Sequence, residues 1–268
     1  MQIHSTAIVH SKASLADDVE VGPFCVIGEH VTIGKGTRLL SHVTVDGWTE
    51  LGERNEVHPF VSIGGPPQHL GYQGEPTKVV IGHDNILREY VTVNRATVQG
   101  GGVTSLGSKS FLMAYVHVAH DCRLGSHVIM ANAASLAGHI VIGDHAIIGG
   151  LTGIHQHVRI GAYSMVGGCC ALGQDLPPFM RAAGGYRARM YGLNSVGLRR
   201  QGFSTDRISV LKRAYDMLFR SGHRVAEAAK LAKVEFSDQP DVMTVVKFLE
   251  GTKRGICRSV GKDQEGEE

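Results

Sequence analysis

The sequence predicts a mainly β protein: a parallel β-helix of hexapeptide repeats followed by a small C-terminal α-helical domain. Three observations carry this. An apolar residue recurs every sixth place at Ile3, Val9, Leu15, Val21, Ile27, Ile33, Leu39, Val45, Leu51, Val57 and Ile63. The beat returns at Ile81, Leu87 and Val93, then runs without a miss from Leu106 to Leu172. Neither the helical nor the strand period holds that spacing, whereas short strands stacked coil upon coil do. Secondly, the place two residues before the beat is often small or β-branched, as at Ala7, Ala13, Val19, Thr37 and Val61, so that it fits beside the large interior group. Thirdly, Gly often follows the beat, as at Gly22, Gly34, Gly52, Gly107 and Gly143. There it is expected to relieve turns that need positive φ.

Residues 1–192 are therefore assigned to the β-helix. Three hexads make one triangular coil, which returns the chain to the same edge about 4.8 Å higher. The pattern resembles the left-handed hexapeptide β-helix, an exception to right-handed crossover, and handedness is what that resemblance implies. Two interruptions are expected to be loops pushed out of the prism. One lies near 64–80, with Gly64-Gly65-Pro66-Pro67 and Gly74-Glu75-Pro76; the other lies near 94–105, with Gly100-Gly101-Gly102. Loops on a rigid scaffold are where binding residues concentrate. The beat stops at Gln174-Asp175-Leu176-Pro177-Pro178. Residues 193–260 read as a helical cap. One helix starts after an N-cap at Ser204, with Ile208, Leu211, Tyr215, Leu218 and Phe219 on one face, and others cover 223–234 and 240–250. Residues 261–268 are expected to be a disordered acidic tail.

Composition bounds the function. The 268 residues are 43% hydrophobic and 19% charged, which reads as soluble and globular. No apolar run reaches the ~18 residues of a membrane span, and the repeat begins at the N-terminus, so neither a span nor a signal peptide is expected. Cys25, Cys122, Cys169, Cys170 and Cys257 are odd in number and show no CxxC spacing, which suggests reduced thiols and a cytoplasmic protein. The cap holds thirteen Lys/Arg against seven Asp/Glu over residues 193–260, a surface suited to an acidic partner. Arg213, Arg220, Arg224, Lys253 and Arg254 are its candidates. No aromatic platform accompanies them, so no nucleic acid is expected.

His120 lies two places after the inward Val118, near a coil corner. Coil arithmetic stacks Gly138 and then Gln156 on its edge, and stacks Asp121, His139 and His157 in a second column. A histidine beside a bare glycine backbone suits acyl transfer. The imidazole takes a proton from an attacking hydroxyl, and the glycine N–H reaches a developing oxyanion. Most of the fifteen histidines, such as His42, His58 and His127, read as ordinary surface or turn residues.

The block His117-Val118-Ala119-His120-Asp121-Cys122 resembles the acyl-carrier-protein–UDP-N-acetylglucosamine O-acyltransferase family of lipid A biosynthesis. So do Leu136-Ala137-Gly138-His139, His155-Gln156, the Thr97–Gly102 loop, and Asn194 followed by Gly197-Leu198-Arg199-Arg200. The likeness spans nearly the whole chain. It implies transfer of a 3-hydroxyacyl group from acyl carrier protein to the 3-hydroxyl of UDP-N-acetylglucosamine. His120 would be the general base, Asp121 its support and Gly138 N–H the oxyanion donor. The likeness further implies that His117, His139, His155 and Gln156 line the sugar and pantetheine pocket. Asn194 and Arg200 would meet the nucleotide, with Arg199 a lesser candidate, and Gly168 would leave room for a long acyl chain. It implies a homotrimer, and no metal or cofactor.

Three departures bear on acceptor recognition. The family's usual Asp-Leu-Lys reads His69-Leu70-Gly71 here, and Val196 stands where Glu is common. His69 keeps a sugar-contact assignment, while Gly71 and Val196 receive none. Four alternatives stand beside the main reading. One is a paralogue using another nucleotide sugar, and one a non-catalytic scaffold. A third is an N-acyltransferase, whose extra N-terminal domain is missing. The fourth is a zinc hydratase using His117 and His120, which would need a third ligand.

Overall fold

A computed structural model describes residues 1–259, so the expected tail at 261–268 lies outside the described residues. The chain winds into a left-handed prism whose described strands form three sheets of 11, 9 and 8, parallel except for the last pair of the first. Most strands are two residues long, and each pairs with the strand one coil above it, as Gln2 with Glu20 and His117 with Ser135. The offset widens where the two interruptions leave the prism. Trp48 pairs with Lys78, and Lys78 in turn with Val103. Both excursions rejoin the ladder in register because the beat resumes after them.

The beat residues fill the interior. Ile27, Ile33, Leu39, Ile63, Leu87, Leu112, Met130 and Leu136 are all fully buried. Ile3 is 43% exposed, since no coil lies beneath the first one. A ladder of buried polar groups shares the core. Asn85 Nδ2 donates to Asn55 Oδ1 at 3.0 Å and Ser110 N–H donates to Asn85 Oδ1 at 2.8 Å, leaving these amide oxygens satisfied.

The glycines after the beat serve a different purpose from the one expected. None of the five named above has a left-handed φ; Gly64, which follows Ile63, does, at 81°. The left-handed positions are instead non-glycine corner residues: Tyr115, Asp121, His127, Ala133, His139 and His145 have φ between 57° and 64°. The glycines are there for room. A Cβ on Gly107 would lie 2.6 Å from the Gly125 carbonyl carbon, and one on Gly143 would lie 2.5 Å from Ala162 N. Left-handed corners cost about 1–2 kcal/mol each for residues with a Cβ. Stacking between coils offsets part of this at about 0.5–1.5 kcal/mol per aromatic pair. Along one edge Phe24, His42, Phe60, Tyr90 and Tyr115 stack with centroids 4.8–5.0 Å apart.

The prism runs past the point where the beat fails. Leu176 bridges Ile160, and Met180–Ala183 pairs in parallel with Met165–Val166 before turning into antiparallel Arg189–Leu193. The turn between Leu172 and Leu176 is two residues short, so this strand falls out of the six-residue count. Among the described residues four helices follow: α1 (Ser195–Arg200), α2 (Thr205–Arg220), α3 (Val225–Glu235) and α4 (Pro240–Glu250). Ser204 caps α2 as expected, accepting from Arg207 N–H, and Leu211, Tyr215 and Leu218 are buried along its inner face. The six-residue α1 was not foreseen because it is too short to show a period. The cap is tied to the prism through buried Asp175. Its carboxylate accepts from Arg159 N–H at 2.9 Å and Thr252 Oγ1 at 2.7 Å, while its carbonyl accepts from Cys257 N–H at 2.8 Å. Among the described residues no helix is long and apolar enough to cross a membrane.

Candidate active site

One outer face of the prism carries the groove. In successive coils its outward residues are Thr92, His117, Ser135, Gly153 and Ala171, paired in register. The side chains shrink from imidazole to none, and a cavity of about 1000 Å³ opens above them. His155 and Gln68 line it as well, and His120 and Gly138 stand at one side.

His120 is held by the corner that follows its strand. Its Nδ1 lies 2.7 Å from Asp121 Oδ2, and the Asp121 side chain is completely buried. Asp121 takes a left-handed φ of 64° and its N–H donates to Thr104 Oγ1 at 2.8 Å, so backbone and side chain are both fixed. Thr97, from the second loop, supplies two more hydrogen bonds to the carboxylate. Its N–H reaches Oδ1 at 2.9 Å and its Oγ1 reaches Oδ2 at 2.8 Å. Gly100 N–H donates to Thr97 Oγ1 at 3.1 Å, which turns the hydroxyl proton toward Asp121. A Cβ on Gly100 would collide with that carboxylate, so the first glycine of the run is needed for room, whereas Gly101 and Gly102 adopt φ of 96° and 78°. With Nδ1–H committed to Asp121, His120 presents Nε2 as an acceptor.

Gly138 sits directly over this imidazole. A Cβ there would lie 2.5 Å from His120 Cε1 and 2.8 Å from Nε2. Its carbonyl accepts from His157 N–H, while its own N–H donates to no protein acceptor among the described residues. His139 also faces Asp121, with Nε2 3.6 Å from Oδ2, and it stacks on His157 at 4.5 Å. Burial holds His139 below the usual imidazole range despite the nearby Asp121 charge. His117 is lowered too, by burial and then by the neighbouring His120, and its Nδ1 lies 2.7 Å from Thr92 Oγ1. The site thus favours neutral imidazoles at its rim.

The first loop folds over the same corner. His69 stands edge-on to His120 with ring centroids 5.4 Å apart, and its Nδ1 accepts from Gly71 N–H at 3.1 Å. Arg95, 8% exposed, anchors the loop by donating to Tyr72 OH at 3.0 Å. His120, Asp121 and His139 bring three ligand atoms within 4.8 Å of one another, a spacing a metal could use. This trio differs from the His117–His120 pair considered for a hydratase. Both Asp121 oxygens already accept from Thr97 or His120, so a cation would have to break the dyad.

Other assigned residues lie elsewhere on the chain. Gln156 keeps its column above Gly138 but is exposed and outside the groove. Asn194 is buried, accepting from Gly197 N–H as the N-cap of α1 and donating Nδ2 to Tyr163 C=O at 3.0 Å. Arg200 is exposed at the end of α1, and Gly168 is exposed on another corner, over Gly150. Arg254 donates to Gly173 C=O at 3.2 Å, at the groove's end, so it does more than charge the cap. Sequence reasoning gave Thr97 no role although it opens a loop quoted for the resemblance, and it missed Thr104, which carries no motif, and Arg187, Arg189 and Arg258, which line the groove from outside the repeat.

Comparison with known proteins agrees with this geometry. Residues 175–257 match the family described as Udp N-acetylglucosamine O-acyltransferase, domain 2. The acyl-[acyl-carrier-protein]–UDP-N-acetylglucosamine O-acyltransferase of Thermodesulfovibrio yellowstonii is 54% identical over 96% of this chain and 99% of its own length. The chain belongs to that family. LpxA from Acinetobacter baumannii superposes with a TM-score of 0.93 at 44% identity, covering 96% of this chain and 100% of the other. The Francisella novicida UDP-N-acetylglucosamine acyltransferase gives 0.94 at 36% identity, covering 98% and 96%. Within this acyltransferase frame the departures are local. His69 and Gly71 sit in the first loop, and Val196 is exposed in the first turn of α1.

Proposed function

We propose that the chain transfers a 3-hydroxyacyl group from the thioester of acyl carrier protein to the 3-hydroxyl of UDP-N-acetylglucosamine, opening lipid A biosynthesis. The observation that carries this is the His120–Asp121 dyad facing a groove beside the unpaired Gly138 N–H. His120 Nε2 removes the proton of the sugar hydroxyl, whose oxygen attacks the thioester carbonyl. Asp121 holds the imidazolium that forms, and Gly138 N–H donates to the oxyanion. On collapse the C–S bond breaks, and the pantetheine sulfur leaves with the proton returned by His120. Every step uses the His120 and Asp121 side chains, the Gly138 N–H and the substrates' own groups, so the reading needs neither metal nor cofactor.

His117, His139, His155 and Gln156 then serve the sugar and pantetheine, with His69 a sugar contact in place of the usual carboxylate. Gly168 bounds the acyl chain, and Asn194 and Arg200 meet the nucleotide. The last three lie away from the groove of their own protomer, which supports a homotrimer with sites shared between subunits. The exposed aromatic edge at Phe24, Phe60, Tyr90 and Tyr115 supports the same assembly, as apolar ridges of this kind mark contacts. The reading places the enzyme in the cytoplasm with an acidic carrier protein docked on the basic cap. The test is transfer from 3-hydroxymyristoyl–acyl carrier protein to UDP-N-acetylglucosamine by the native protein and His120→Ala. Turnover that vanishes in the variant is the expected result. A folded native protein that turns over nothing would sink this substrate pair.

A further inference from the structure

At its C-terminal end the groove changes character. Arg187, Arg189 and Arg258 border the same cavity as His117 and His120, and no described carboxylate lines it. Met190 N–H donates to Arg258 C=O at 2.8 Å, and Met190 bridges Ser259 in parallel. That pairing sets Arg189 beside Arg258, on the side opposite Met190 and Ser259. Ala188, between the other two arginines, donates its N–H to Ala171 C=O at 3.0 Å. Ala171 also bridges Tyr186, so the backbones that carry the three arginines stand one level beyond the last coil of the groove column.

Their height can be compared with a substrate. From His117 through Ser135, Gly153 and Ala171 to Ala188 is four steps of about 4.8 Å, or roughly 19 Å. The pantetheine arm of an acyl carrier protein has about thirteen bonds between thioester sulfur and phosphorus, roughly 15 Å when extended like a peptide. Adding a charge-assisted contact of about 2.8 Å brings its phosphate to about 18 Å. We propose that Arg187, Arg189 and Arg258 form a phosphate-binding site for the phosphodiester of the donor's pantetheine arm. Planar guanidiniums suit phosphate better than point charges would, and a rim free of carboxylates leaves them available.

This rests on the reading that transfer occurs at His120, so the test separates the two. Acyl-4′-phosphopantetheine and acyl-pantetheine lacking the phosphate are compared as donors and as equilibrium ligands. They are offered to native protein, to Arg187→Gln, Arg189→Gln and Arg258→Gln, and to the triple variant. Native protein should bind the phosphorylated donor about tenfold or more tighter than the other. The triple variant should lose that preference, with donor KM raised and acceptor KM unchanged. Circular dichroism and Tm check folding of each variant. A rise in acceptor KM alone would assign the rim to the nucleotide diphosphate and overturn the proposal. So would equal affinity of native protein for both donors. His120→Ala should abolish transfer while keeping the phosphate preference, so failure of the base assignment reads out independently of the rim.

Discussion

Thr97→Val tests whether the second loop is part of the catalytic apparatus. The substitution keeps the backbone N–H that reaches Asp121 Oδ1 and removes only the hydroxyl that reaches Oδ2 at 2.8 Å. Asp121 has no exposed side-chain surface, so water cannot replace the lost donor. Hydrogen bonds to charged groups contribute about 1.5–3 kcal/mol, and Gly100 N–H also loses its acceptor. A stability loss of about 2–3 kcal/mol follows. The same oxygen accepts from His120 Nδ1, so a carboxylate free to turn no longer fixes the imidazole. If half to all of that energy is also lost from the transition state, kcat falls by roughly ten- to a hundredfold. KM should change little for either substrate, since Thr97 lies behind Asp121 and does not line the groove. The assay is steady-state transfer at a temperature where the variant is folded by circular dichroism, with Thr97→Ser beside it. Serine keeps the hydroxyl and should restore most of kcat. Native kcat in Thr97→Val, or an equal loss in both variants, would refute the reasoning.

Gly138→Ala sets a methyl 2.5 Å from His120 Cε1, so the imidazole must shift; kcat should fall at least a hundredfold by turnover assay, with a much smaller change in Tm. His117, His139 and His145 are all held below the usual imidazole value by burial, so the unfolded chain binds protons near pH 6.5 that the folded chain refuses. Stability should therefore fall as pH drops below about 6.5, seen as a lower urea midpoint at pH 5.5 than at 7.5. Replacing these three by Gln should flatten that slope. Cys169 is exposed whereas the other four thiols are buried, with Cys122 and Cys257 pushed up to about 12 by burial. Native protein at pH 8 should accept one equivalent of an alkylating reagent per chain by mass spectrometry, and urea-unfolded protein should accept five.

Much of the site could be read from the chain because a β-helix turns tertiary neighbours into arithmetic. Each coil lies over the one before, so a residue's partner sits at a constant offset along the sequence. This is why Gly138 was expected over His120, and His139 beside Asp121, before any coordinates. The helical cap was legible for a different reason. Ser204 and the Leu211, Tyr215, Leu218 face of α2 are local signals of capping and amphipathic period.

Where the chain leaves the repeat, the arithmetic lapses. Thr97 meets Asp121 across 24 residues because a protruding loop folds back, and no spacing announces that. His69 likewise reaches His120 only through the fold of its loop. Arg187, Arg189 and Arg258 gather at the groove because the segment after α4 returns to pair with the last strand. The glycines make the same point. Their positions were plain from the sequence, but whether each served φ or room depended on the backbone one coil away. The prism, its interior and the stacking of Gly138 over His120 are legible in the chain alone, since these follow from a repeat interacting with its own copies. How the Asp121 carboxylate is held, and what borders the far end of the groove, depend on the folded chain. Those contacts join segments related by no period, and their energy is set by distance and burial in the folded chain.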